Sequence, residues 1–264
     1  MTIKKYMRVM LFSFIFTVAS GAGIDIKTPA WRKVEALGKK NSYTFVFCGD
    51  AKTEDGKNLR AVLGKIKEEL SGGKEVVQKG SVTYRGGNGL KKIDIVDVAI
   101  DDSKEQELIK LFNIQSDPTV LVVAPNGAVT GYFTATADKS ALVESLVSPK
   151  ESEVIKNIQD GCVVFLCFHG AQEPDFTAIK TNIKSVADNF KGSVRAVYAN
   201  SNDKKEEKLR ENFKMPSGAR TTVFILVPPG RTAAKLEGAD ITKENLMRTL
   251  VSSCGSGGCG SSCK

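Results

Sequence analysis

The chain contains the same stretch twice. From Asp117 it reads Asp-Pro-Thr-Val-Leu-Val-Val-Ala-Pro-Asn-Gly, and from Arg220 it reads Arg-Thr-Thr-Val-Phe-Ile-Leu-Val-Pro-Pro-Gly. Both are apolar, β-rich runs ending at a Pro-X-Gly turn, and Gly127 and Gly230 each lie nine residues beyond Pro118 and Thr221. The flanks match as well: a charged helical stretch before each run (Ser103 to Asn113; Asp203 to Phe213), then a short strand and a closing helix after it. Internal similarity of this length predicts two copies of one α/β unit, each large enough to need its own core.

Residues 1–22 are expected to lie outside that fold. Lys4, Lys5 and Arg8 precede an apolar run from Val9 to Val18, which passes into Ala19-Ser20-Gly21-Ala22. That order is the layout of a secretory signal peptide, and the run is too short to span a bilayer. The expectation is export to the periplasm or the extracellular space, with no transmembrane anchor once the segment is removed. Its loss lowers the formal charge from +8 to +5. Lys and Glu alternate along the predicted helices instead of gathering on one face, which argues against nucleic acid as a partner.

The rest divides into a first domain over 23–149, a second over 150–252 and a tail over 253–264. The first copy is expected to run helix (Thr28 to Lys39), strand (Tyr43 to Cys48), then a helix with Leu59, Val62, Leu63, Ile66 and Leu70 on one face. A Gly- and Lys-rich insert over Gly72 to Lys92 follows, then strand Ile93 to Ile100, helix Ser103 to Asn113, strands Thr119 to Ala124 and Val129 to Thr134, and helix Lys139 to Val147. The second copy repeats the order without the insert: helix from Glu151, strand Cys162 to Phe168, a helix marked by Phe176, Ile179, Ile183, Val186 and Phe190, strand Val194 to Ala199, helix Lys204 to Phe213, strands Thr222 to Val227 and Thr232 to Leu236, and helix Lys243 to Val251. This β-α-β-α-β-β-α order predicts three layers around a mixed sheet, with parallel central strands and an antiparallel edge.

That order, with Asp117-Pro118-Thr119 ahead of an apolar strand and a Pro-Asn-Gly turn behind it, resembles the thioredoxin fold in two tandem copies. The resemblance implies that Pro118 is cis and borders an active site. It also implies a Cys-X-X-Cys at the start of the helix after the central strand, where one thiolate attacks a disulfide and the second resolves the mixed product. The chain departs from that pattern. The first copy reads Phe47-Cys48-Gly49-Asp50-Ala51-Lys52 and the second Leu166-Cys167-Phe168-His169-Gly170, with Thr221 in place of the cis proline. Neither copy can run a dithiol reaction by itself.

Six cysteines remain to be placed. Cys48 and Cys167 are read as equivalent positions and as candidate single thiols; the competing reading is a small apolar residue inside a strand. His169, the one histidine, stands two residues after Cys167, where an imidazole on the same face would lower the thiol pKa; the competing reading is a lone surface histidine. Cys254, Cys259 and Cys263 are spaced by Gly and Ser at the end of the chain. They form a flexible tail suited to swinging redox exchange, to Cu(I) or Zn(II) binding, or to cross-linking. No cofactor is required. Three functional readings follow: thiol–disulfide exchange on an extracytoplasmic substrate, a non-catalytic polypeptide-binding scaffold, and soft-metal binding by the tail.

Overall fold

A computed structural model of the chain describes residues 26–71, 92–170, 175–216 and 218–254. The expected export segment, the Gly- and Lys-rich insert and residues 255–264 lie outside the described residues. The described residues form two compact units, one over Ile26–Val147 and one from Ser148 onward.

The first unit runs α1 (Pro29–Gly38), β1 (Ser42–Cys48), α2 (Glu54–Ser71), β2 (Lys92–Val98), α3 (Gln106–Leu111), β3 (Thr119–Val123), β4 (Val129–Thr134) and α4 (Lys139–Glu144). The second runs α5 (Pro149–Gln159), β5 (Val163–His169), α6 (Phe176–Asn189), β6 (Val194–Asn200), a 3-10 turn at Lys204–Glu206, α7 (Glu207–Asn212), β7 (Thr222–Val227), β8 (Arg231–Glu237) and α8 (Lys243–Cys254). Each unit opens with the same helix start. Thr28 accepts a hydrogen bond from Trp31 N at 3.3 Å, and Ser148 accepts one from Glu151 N at 3.1 Å. In both, a proline fills the next position, where its missing N–H costs nothing. The closing helix runs on through Cys254, so helical backbone extends past the expected domain end at 252.

The two sheets share one strand order, β2-β1-β3-β4 and β6-β5-β7-β8. In each, one outer pair is parallel (β1 with β2, β5 with β6), while the central pair and the hairpin are antiparallel. The sheets are mixed as expected, but the expected parallel central pair is absent, and helix length explains it. The eighteen residues of α2 span about 27 Å, enough to carry the chain back along a seven-residue strand of about 23 Å. The six residues of α3 and of α7 span about 9 Å. The chain therefore enters β3 and β7 at the end where β2 and β6 stopped, and runs the other way.

The second unit shows the three layers most directly. Val163, Phe165 and Cys167 face α6 and α8 through Ile179, Ile183, Leu246 and Leu250. Val164, Leu166 and Phe168 face α5 and α7 through Val154 and Leu209. Alternate residues of one strand thus bury on opposite sides, as a strand covered on both faces requires. In the first unit, β1 is buried at every position, and the Trp31 ring of α1 packs tilted against Phe112, 5.5 Å between centroids.

Candidate functional site: the cis-proline loop and the cysteines

In the first unit two loops meet where β1 ends and β3 begins. The Asp117–Pro118 peptide is cis, and Pro118 is buried. Asp117 accepts a hydrogen bond from Asp50 N at 3.0 Å, tying the loop before α2 to the proline loop. Gly49 sits between them with φ +148, and a Cβ there would lie 2.2 Å from Asp117 Oδ1 and 3.0 Å from Pro118 Cα. Only glycine fits both the backbone conformation and the space. Asp50 then folds the loop onto itself: its side chain accepts from Lys52 N at 2.8 Å, and its carbonyl accepts from Thr53 Oγ1 at 2.9 Å. Thr53 in turn accepts from Gly56 N at 3.1 Å at the start of α2.

This is the place where a thioredoxin-type dithiol would stand, at a helix N-terminus whose unpaired N–H groups stabilise a thiolate. The residues found here are exposed Asp50, Ala51, Lys52 and Thr53, followed by Glu54 and Asp55 in the first turn. The partial positive charge of the helix end therefore meets the chain's own carboxylates, and no thiol is present.

Cys48 is not in that loop. It is the last residue of β1 and has no solvent exposure. Burial pushes its thiol from an ordinary 9.0 to about 12, and the charge of Glu105 adds to the rise. A group so held remains a neutral thiol at neutral pH.

Sheet register also separates Cys48 from Cys167. Cys48 lies opposite Thr119, the residue after Pro118, whereas the residue opposite Thr222, after Thr221, is Phe168. Cys48 thus corresponds to Phe168, and Cys167 to Phe47. The one-residue offset turns the two thiols to opposite faces of their sheets, because side chains alternate along a strand. The equivalence read from the sequence is corrected accordingly. Cys167 is fully buried in the core beneath α6 and α8.

His169 ends β5. Its ring stacks on Phe176 with centroids 4.0 Å apart, and Nδ1 lies 3.0 Å from Gly170 O. Its carbonyl accepts from Ser201 N at 2.9 Å and from Ser201 Oγ at 3.0 Å. The imidazole is engaged with an aromatic ring and the adjoining turn. Cys162 is buried just before β5.

Sequence reasoning missed a pair of buried carboxylates. Glu105 is 5 % exposed and accepts from Ala30 N at 2.9 Å, while its Oε2 has no hydrogen-bond partner among the described residues. Glu206, also 5 % exposed, accepts from Lys150 N at 3.2 Å and from Ser148 Oγ. In each unit a carboxylate thus completes the N-terminus of the opening helix from a distant loop. Burial pushes the Glu206 carboxyl above the ordinary range, although its bonds from Ser148 and Lys150 pull the other way. The signal was present as Asp102-Ser-Lys-Glu105 against Asp203-Lys-Lys-Glu206, but nothing local links either motif to Thr28-Pro29 or Ser148-Pro149.

Cys259 and Cys263 lie outside the described residues, as does the side chain of Cys254. Among the described residues, no three His, Cys, Asp or Glu side chains gather as a metal site would need, and no helix is long and apolar enough to cross a membrane.

No protein-family model and no curated protein matches the chain. Solved structures similar to it include the first two thioredoxin domains of Saccharomyces cerevisiae Eps1p, at 14% identity and TM-score 0.28, covering 85% of this chain and 96% of that one. Form II of human ERp44 is similar at 10% identity and TM-score 0.36 over 88% of this chain and 59% of that one. The N-terminal domain of the alkylhydroperoxide reductase AhpF from Enterococcus faecalis is similar at 15% identity and TM-score 0.27, over 83% and 96%. The shared strand order and the flanking helices decide the fold. Both units are thioredoxin-like.

Proposed function

We propose that this is an exported protein that binds polypeptide through thioredoxin-like units and does not act as a dithiol oxidoreductase. One observation carries the reading. The loop beside cis-Pro118 presents exposed Asp50, Ala51, Lys52 and Thr53 at the place of the dithiol, while Cys48 lies buried behind it. A surface that keeps the geometry of a substrate-binding loop without its nucleophile is suited to holding a chain and not to cutting its disulfides. The basic, apolar and small-residue order of residues 1–22 supports export.

The test uses the mature full-length chain. It is expected to leave the rate of insulin disulfide reduction unchanged and to raise the fluorescence anisotropy of a labelled, reduced and alkylated polypeptide. Disulfide turnover that survives truncation after Ser253, or no binding of the alkylated polypeptide, overturns the proposal.

A second reading, thiol exchange or Cu(I) or Zn(II) binding at the C-terminus, is supported by the burial of Cys48, Cys162 and Cys167, which leaves Cys254, Cys259 and Cys263 to carry any such chemistry. Truncation after Ser253 would then abolish thiol exchange or metal uptake while leaving the melting temperature unchanged.

A further inference from the structure

The two copies differ in charge on the outer strand that follows the long helix, β2 in the first unit and β6 in the second. Val98 and Ala199 stand opposite Cys48 and Phe168, so Asp97 matches Tyr198 and Asp94 matches Arg195. On the helices, buried Leu59, Leu63 and Ile66 match Ile179, Ile183 and Val186, so Arg60 matches Lys180.

In the first unit two cations of α2, Arg60 and Lys67, are answered within the fold. Arg60 binds Asp97 at 2.8 and 3.1 Å, and Lys67 binds Asp94 at 3.1 Å. In the second unit those carboxylate positions hold Arg195 and Tyr198. Lys180 lies over the Tyr198 ring, 5.5 Å from its centroid. Between α6 and β6 runs an open groove of about 480 Å³, whose lining among the described residues includes Lys180, Lys184, Lys191 and Arg195 against one carboxylate, Asp188. That carboxylate is paired with Lys184 at 2.6 Å. The groove follows β6, a seven-residue strand at the outer edge of its sheet that, among the described residues, pairs on one side only, with β5.

We propose that this groove and the free edge of β6 bind an extended acidic polypeptide segment, which adds a strand to the sheet and places carboxylates where the first unit has its own Asp94 and Asp97. Edge-strand addition supplies main-chain hydrogen bonds, and the flanking charges supply selection. A single charged residue on an edge strand commonly serves only to prevent self-pairing. Here the cations come from a helix, the turn after it and the strand, and they surround one groove. The proposal rests on the polypeptide-binding reading and places that binding in the second unit.

The test measures anisotropy of labelled peptides alternating Glu with Val, Ser with Val, or Lys with Val, on the full mature chain and on the exposed-site variants Arg195→Asp and Lys180→Glu. The Glu peptide is expected to bind best, to weaken with added salt, and to lose roughly tenfold in affinity to either variant, with melting temperatures unchanged. Equal binding of the Glu and Ser peptides, with no effect of either variant, overturns the groove while leaving polypeptide binding in place. Binding of none of the peptides, or of the alkylated polypeptide above, overturns both. Full displacement by inorganic tripolyphosphate together with indifference to backbone N-methylation of the Glu peptide overturns strand addition in favour of a simple anion site.

Discussion

Alkylation of Cys48 in the native protein is expected to be at least about a thousandfold slower than in the unfolded chain. The magnitude follows from two features of the site. The thiol is moved from 9.0 to about 12, so its thiolate fraction at neutral pH falls by about three orders of magnitude. Its sulfur also has no solvent exposure, so the reagent needs a structural opening as well, and the thousandfold figure is a lower bound. The assay is timed iodoacetamide labelling with and without denaturant, followed by mass spectrometry of the Cys48 peptide. Native labelling within tenfold of the unfolded rate would refute the reasoning and return Cys48 to the list of reactive groups. The same shift has a stability consequence. Well below pH 9.0 the thiol is neutral in both states and contributes no pH dependence. Between 9.0 and about 12 only the unfolded chain sheds the proton, so stability falls as pH rises through that window, by about 1.4 kcal/mol per pH unit. The difference between wild type and Cys48→Ala should carry that slope, while Tyr198, raised by burial from 10.0 to about 12, contributes its own in both proteins.

Two further outcomes check the supports of the site. Gly49→Ala forces a Cβ to 2.2 Å from Asp117 Oδ1 at φ +148, and should destabilise the first unit by about 2 kcal/mol or more in denaturant melts; a smaller change would mean that the two loops separate freely. Glu206 has a raised carboxyl pKa, so in the native chain stability should decline as pH rises from the ordinary 4.5 through the folded value, and be flat above it. Glu206→Gln should abolish that decline, read as the difference between wild-type and variant denaturation midpoints across acidic pH.

The local vocabulary of this protein was legible in its sequence. Apolar runs bounded by Pro-X-Gly gave β3 and β7, apolar residues recurring every three or four positions gave α2 and α6, and Thr28-Pro29 marked the first helix start, because each signal is set by neighbours a few residues away; the second helix, read from Glu151, begins earlier, at Pro149. The repeat itself announced two units. Tertiary structure decided which residues became equivalent and which became inert. A period of two states that a strand has two faces, but not which residue lies opposite Thr119, so the sequence could not distinguish Cys48 matching Cys167 from Cys48 matching Phe168. It could not orient the central strand pair either, which depended on how far a six-residue helix can carry the chain. Glu105 and Ala30, or Asp94 and Lys67, are brought together only by the folded sheet. The difference between a neutralised edge in one unit and a cationic groove in the other depends on contacts between residues far apart in the chain, which only folding creates.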